Sequence, residues 1–287
     1  MRLEVCVVSR TVGVVGLGTM GQGIAEVAAR AGYRVIALDR DESLVQRGLS
    51  AISKSLERSA EKGRITREEM DGALARLVAG RNWSDLAEAG VVIEAVFEDM
   101  AAKKEVLREV GKHIPADALL GSNTSALSIT EMASVLPNPG RFVGIHFFNP
   151  VPVMKLVEIV KGKDTDTRTV ERAFEFAREL GKEPVLVTES PGFIVNRILC
   201  PMMNEAAYLV YEGVASAEDV DKAMKLGANH PIGPLSLADL VGIDVLYSIM
   251  QTLEKELGSK YHPCPLLEQM VREGRLGRKT GRGFFQY

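Results

Sequence analysis

His146 interrupts an otherwise apolar run, Val143-Gly-Ile-His-Phe-Phe-Asn-Pro150, and a second apolar run, Leu156-Val-Glu-Ile-Val160, carries a single carboxylate, Glu158. Between them lies a Pro-Val-Pro turn. If the runs fold back on each other about Pro152, His146 and Glu158 stand equally far from the turn and become cross-strand neighbours. A carboxylate beside an imidazole fixes its tautomer and stabilises the imidazolium, so the pair can take a proton as a general base and return it as an acid. The same residues also fit a core histidine satisfied by a nearby acid. The rest of the chain must decide between these readings, by bringing or not bringing a substrate and a redox partner to the same place.

A redox partner has a candidate site at the start of the chain. Val12-Gly-Val-Val15 reads as a buried strand that runs into Gly16-Leu-Gly-Thr-Met-Gly21 and a helical stretch from Gln22 to Ala31, ended by Gly32. This is G-x-G-x-x-G between a strand and a helix. Gly16 permits the tight turn, Gly18 lets backbone approach a pyrophosphate, and Gly21 lets the helix pack on the strand, with helix N–H groups facing the phosphates. A second strand, Tyr33-Arg-Val-Ile-Ala-Leu-Asp39, ends in a carboxylate about twenty residues beyond the glycines, placed to accept hydrogen bonds from an adenosine ribose. Asp39 selects NAD, because it would repel a 2′-phosphate; Arg40 beside it leaves NADP use open.

Composition agrees with a catalytic reading and removes several others. The chain has 287 residues, 46% hydrophobic and 25% charged, enough for one large or two moderate domains with real cores. A net charge of −3 gives no general attraction to nucleic acid or to an anionic membrane, so a phosphate-bearing ligand must meet a local basic cluster. The three cysteines, Cys6, Cys200 and Cys264, are far apart and lack C-x-x-C spacing, which supports neither a disulfide framework nor a zinc site and points to a reducing, cytoplasmic compartment. The N-terminal run Val5-Cys-Val-Val8 is too short for a signal peptide or a membrane span.

The remaining elements place further polar groups. From Asp41 to Trp83 the pattern is helical, with Leu49, Ile52 and Leu56 at burial spacing and Lys54, Arg58 and Lys62 on another face; Ser55 and Lys62 lie nearly on one side. That basic face is either simply solvated or a seat for an anionic substrate handle. A strand, Val91-Val-Ile-Glu-Ala-Val96, precedes Phe97-Glu-Asp99 and an amphipathic helix from Lys103 to Val110. The strand Ala118-Leu-Leu-Gly-Ser then opens into a small polar loop ending at Ser125. Ligands gather at the carboxyl ends of parallel strands, where Asp39, Glu98, Ser125 and His146 all stand. The alternating pattern stops near Thr188 to Pro191. Helices follow at 194–212, 216–226, 234–241, 244–257 and 265–273. The expected architecture is therefore α/β: a Rossmann-type, mainly parallel sheet domain over residues 1–190, followed by a smaller all-helical domain over 191–287. Asn196, early in the first of these helices, reads on its own as a cap or surface residue.

Taken together, Gly16-Leu-Gly-Thr-Met-Gly21, Ser122-Asn-Thr-Ser125, His146-Phe-Phe-Asn-Pro-Val-Pro152, Leu156-Val-Glu158, Pro191-Gly-Phe-Ile-Val-Asn-Arg197 and Gly277-Arg-Lys-Thr-Gly-Arg-Gly-Phe284 resemble the L-3-hydroxyacyl-CoA dehydrogenases. The likeness runs in order over residues 11 to 287 and is greatest to the short bacterial 3-hydroxybutyryl-CoA dehydrogenases. Residues 1 to about 10 fall outside it, as an extra edge strand, a tail or a misassigned start. The resemblance implies that His146 is the acid/base on the substrate's 3-oxygen, Glu158 its charge partner, Ser125 a donor to that oxygen and Asn196 a clamp from the helical domain. It implies NAD contacts at Gly16, Leu17, Gly18, Thr19, Met20, Gly21, Asp39, Glu98, Lys103, Asn149 and Lys279, and coenzyme A contacts at Ser55, Lys62 and Ser125. It further implies a homodimer through the helical domain, and chemistry that needs no metal, because His146 and Ser125 handle the oxygen while the cofactor takes the hydride.

Two other classes share parts of this pattern. The 6-phosphogluconate-like β-hydroxyacid dehydrogenases open on similar glycines but transfer the proton through a lysine, whose motif is missing here. Relatives of the fold also serve as lens crystallins or binding proteins; every catalytic position implied by the resemblance is intact here, which argues against a silent protein. Acyl-chain preference stays open, including a dicarboxylic substrate such as 3-hydroxyadipyl-CoA.

Overall fold

A computed structural model describes residues 10–287. The apolar run Val5-Cys-Val-Val8 lies outside the described residues. The chain divides after Glu189, and the second unit is Ser190–Tyr287.

The first unit is built on strands whose residues are mostly buried on both faces, as parallel sheets covered by helices require. Thr11–Val15 (β1) is buried throughout and leads into helix Thr19–Arg30 (α1); Arg34–Leu38 (β2) follows. Helix α1 starts three residues earlier than the apolar periodicity suggests, inside the glycine loop itself. The next elements are Glu42–Glu61 (α2), Arg67–Ala75 (α3) and the short strand Leu77–Ala79 (β3). That strand corrects the helical reading of the whole stretch to Trp83: it pairs with β2 through Val35, Ile36 and Ala37, so an open sheet edge overrides local propensity. Val91–Glu94 (β4), Met100–His113 (α4), Leu119–Ser122 (β5) and Ile129–Ala133 (α5) continue the alternation. Phe142–Phe147 (β6), Leu156–Lys161 (β7), Thr167–Glu179 (α6) and Glu183–Thr188 (β8) complete it.

These strands form one sheet in the order β3-β2-β1-β4-β5-β6-β7-β8, parallel except at β6 and β7. The chain leaves β1 for β2 on one side and returns to β4 on the other. This reversal of winding is where open α/β sheets bind ligands, outside the carboxyl ends of the strands. Helices α1, α2, α3 and α6 contribute to the core on one face, packing Ile24, Ile52, Leu56, Ala73 and Phe176 over Val12, Val35, Ile93 and Ile159.

The second unit is helical: Val195–Tyr211 (α7), Ala217–Gly227 (α8), Pro234–Val241 (α9), Ile243–Leu257 (α10) and Pro265–Arg272 (α11). Its core holds Met203, Leu235, Leu246, Met250, Leu253 and Leu267. Buried Asp239 receives the backbone N–H groups of Phe284 and Phe285 and the Tyr287 hydroxyl, docking the C-terminal tail. No single helix among the described residues is long and apolar enough to cross a membrane.

Candidate active site

The β6/β7 hairpin sets the central pair. Its antiparallel register places His146 opposite Glu158, and Nδ1 lies 2.7 Å from Glu158 Oε2. Both are buried, at 6% and 1% exposure. A carboxylate at Nδ1 takes the N–H of the neutral ring, so the lone pair resides on Nε2. The Phe148 ring, 4.5 Å from the imidazole centroid, closes one side of the site. Lys182, immediately before β8, donates to the carbonyls of Val151 and Met154 and so ties down the hairpin loop that carries the pair's two strands. Its position was not evident from sequence, since it depends on how α6 returns to the sheet.

The glycine loop lies at the β1 end. Gly16 has φ 95°, a left-handed conformation for which glycine is suited. A Cβ on Gly21 would come within 1.7 Å of the Gly16 carbonyl oxygen, whereas one on Gly18 would meet nothing within 4 Å. Gly18 is also the N-cap of α1 and offers no side chain to the helix's first N–H groups, which suits them to a pyrophosphate. Asp39 follows β2 and accepts from the backbone N–H of Leu17 at 2.7 Å and of Arg40 at 2.8 Å. Loop and carboxylate are thereby joined, and the residues fit a dinucleotide.

Ser125 lies in the loop after β5. Glu98 receives its N–H at 2.8 Å and its hydroxyl at 3.1 Å, together with the Thr124 hydroxyl at 2.6 Å. Burial pushes the Glu98 carboxyl up, but the Lys103 ammonium, the Thr124 hydroxyl and the Ser125 amide outweigh it and hold the group below the ordinary carboxylate range. Asn123 links this loop to the hairpin, accepting the Phe147 N–H on Oδ1 at 2.9 Å. The sequence pattern assigns no separate role to Glu94, Ser122, Asn123 or Thr124. Glu94 is the lone carboxylate inside the apolar run Val91-Val-Ile-Glu-Ala-Val96, the same signal that marks Glu158.

The other expected positions are scattered. Lys103 is 1% exposed and pairs with Glu94 and Glu98. Asn149 is exposed after β6. Ser55 is half-buried on α2 next to Glu26 of α1, while Lys62 is exposed at the C-cap of α2. In the second unit, Asn196 lies in the first turn of α7, whose N-cap is Ile194, and Lys279 is ion-paired with Asp244 at 2.7 Å. A cavity of about 650 Å³ in the first unit is lined by Arg30, Arg76, Lys155 and Lys182 among others, without His146 or the glycine loop. Volume alone therefore does not locate the chemistry.

Residues 11–190 match the NAD binding domain of 3-hydroxyacyl-CoA dehydrogenase, and residues 192–287 match the C-terminal domain of the same enzyme. The chain belongs to the 3-hydroxyacyl-CoA dehydrogenase family. It is an NAD-dependent oxidoreductase of that family. The 3-hydroxybutyryl-CoA dehydrogenase of Bradyrhizobium diazoefficiens is 47% identical over 281 residues, 98% of this chain and 96% of that one. The 3-hydroxybutyryl-CoA dehydrogenase of Clostridioides difficile is 46% identical, over 96% of this chain and 98% of its own length. The crystal structure of (S)-3-hydroxybutyryl-CoA dehydrogenase from Ralstonia eutropha superposes with a TM-score of 0.93 at 45% identity, covering 97% of this dehydrogenase and 99% of that chain.

Proposed function

We propose that this dehydrogenase interconverts (S)-3-hydroxybutyryl-CoA and acetoacetyl-CoA, with His146 and Glu158 as its acid/base pair. The observation that carries the reading is the buried 2.7 Å contact between His146 Nδ1 and Glu158 Oε2. With Nδ1–H held by the carboxylate, Nε2 accepts the proton of the substrate's 3-hydroxyl. NAD, when bound, would supply the hydride acceptor in oxidation and, as NADH, the donor in reduction. Glu158 stabilises the imidazolium that forms, and in the reverse direction His146 returns the proton to the 3-oxygen as the carbonyl is reduced. Ser125 donates to the same oxygen and Asn196 serves as a further substrate contact. Gly16 through Gly21, Asp39, Glu98, Lys103, Asn149 and Lys279 form the cofactor set, and Ser55 and Lys62 hold the coenzyme A handle.

Residues 1–190 form the NAD-binding domain in this reading and 191–287 a substrate and dimerisation domain. Support for a homodimer comes from large apolar side chains exposed on the second unit, among them Ile198, Tyr211, Val214 and Leu226. A reducing, cytoplasmic setting agrees with Cys200 and Cys264 as buried free thiols.

The test is the loss of NADH absorbance with a panel of 3-ketoacyl-CoA thioesters of short, long and dicarboxylic chains. Acetoacetyl-CoA is expected to give the highest kcat/KM. Preference for the dicarboxylic thioester would replace the assignment with 3-hydroxyadipyl-CoA, and no NADH consumption with any of them would remove it.

A further inference from the structure

Beneath the loop that carries Ser125 lies a buried cluster that the acid/base pair does not use. The Lys103 ammonium has three protons. They meet Glu94 at 2.9 Å and 3.2 Å, the Val96 carbonyl at 3.1 Å and Glu98 Oε2 at 3.3 Å. With its donors engaged inside the protein, Lys103 acts on other groups through these carboxylates.

Glu94, fully buried, accepts the Val96 N–H on one oxygen at 2.7 Å and the Ser122 hydroxyl on the other at 2.5 Å. Every backbone N–H of residues 123–127 is then received by this cluster. Asn123 donates to the Glu94 carbonyl, Thr124 to the Ser122 hydroxyl, Ser125 and Ala126 to Glu98, and Leu127 to the Thr124 hydroxyl. A loop whose amide groups are all held this way has little freedom to reorient its side chains. Glu98 Oε1 takes four donors, and the Ser125 hydroxyl, at 3.1 Å, is among the longer of them. A serine hydroxyl has one proton to donate. Rotating it from Glu98 toward a substrate oxygen leaves the carboxylate still bonded to Lys103, Thr124 and two amides.

We propose that Glu94, Lys103 and Thr124 are positioning residues for the reaction: with Glu98 they hold the Ser125 hydroxyl where its proton swings between Glu98 and the 3-oxygen of the substrate. This rests on the reading of Ser125 as a donor to that oxygen. No proton leaves Ser125; only its O–H bond turns. Lys103 thus contributes to turnover through Ser125 as well as through the cofactor site.

The test is a double-mutant cycle on the full-length enzyme, measuring kcat and KM for acetoacetyl-CoA and Kd for NADH. The variants are Lys103→Met, Thr124→Val, Thr124→Ser and Ser125→Ala, with Lys103→Met and Thr124→Val also combined with Ser125→Ala. Lys103→Met and Thr124→Val are each expected to lower kcat roughly 10- to 100-fold, the loss that a misplaced reacting group gives, and Thr124→Val to leave the NADH Kd within about twofold. Thr124→Ser, which keeps the hydroxyl, should restore kcat. In the Ser125→Ala background the same two substitutions should change kcat by less than about twofold, because the group they position is gone. Thr124→Val removes a single hydroxyl from a partly open network and carries the test if Lys103→Met does not fold. A full kcat loss persisting in the Ser125→Ala background, or a Thr124→Val loss expressed as weaker NADH binding, would overturn the proposal. An unchanged kcat in Ser125→Ala alone would instead strike the reading of Ser125 on which it rests.

Discussion

The first unit buries two charged clusters at the carboxyl ends of its strands, and their contact distances are nearly the same. His146 and Glu158 meet at 2.7 Å; Lys103 and Glu94 meet at 2.9 Å. They differ in the cation. Imidazole bears a charge only after a proton has arrived, so the first pair is suited to a step in which charge comes and goes. An ammonium whose three protons meet two carboxylates and a carbonyl is a fixed set of donors, so the second cluster is suited to holding a loop. Their settings differ as well. The His–Glu pair faces across a single hairpin, whereas the lysine cluster joins a strand, a helix and the loop between β5 and α5. Proximity of opposite charges thus says little about chemistry until one asks which partner can change its charge.

That contrast is open to direct attack, beginning with the lysine cluster. Lys103→Met leaves buried Glu94 and the more exposed Glu98 without their cation and is expected to lower unfolding free energy by about 3–5 kcal/mol, the usual cost of breaking a buried pair. Denaturant melts would show it; a loss under about 1 kcal/mol would mean that the cluster does not hold the loop. Glu158→Gln should behave in the opposite manner. The amide keeps an oxygen for Nδ1–H, so stability should change little, while kcat falls roughly 10- to 100-fold because the imidazolium loses its counter-charge. Equal stability losses in the two variants would erase the distinction.

The smallest effect is expected at Glu26, a buried carboxyl outside both clusters. Burial raises the Glu26 carboxyl, with the Ser55 hydroxyl and the Arg30, Arg58 and Lys182 charges opposing only in part, and Oε1 has no hydrogen-bond partner. A carboxyl whose folded pKa is raised binds its proton more tightly when folded, so stability falls as pH rises through the window above the ordinary value of 4.5. Glu26→Gln should therefore raise Tm at neutral pH, and the gain should vanish as the pH drops below 4.5. A lower Tm at neutral pH would show that the basic neighbours dominate.

Much of this arrangement was legible in the sequence, for identifiable reasons. Strands β1, β2, β4 and β5 are short apolar runs that end at a glycine loop or at polar residues, and the register of His146 with Glu158 follows from equal spacing about a proline turn. Local pattern does not reach further than that. Leu77–Ala79 is three residues long and only partly buried, so nothing but its pairing with β2 makes it a strand. Glu94 and Lys103 are nine residues apart, and their meeting depends on α4 packing against the end of β4. Lys182 finds its carbonyls only once α6 has returned to the sheet. Each of these contacts is decided by tertiary packing, which periodicity does not encode.

The central claim is that His146 moves the proton. Its most direct test is kcat for acetoacetyl-CoA reduction by His146→Ala, measured beside NADH affinity. The account predicts that kcat falls by roughly 10²- to 10⁴-fold, the range expected when a general acid/base is removed, while NADH binds nearly as before. Turnover near that of the unmodified enzyme would contradict it.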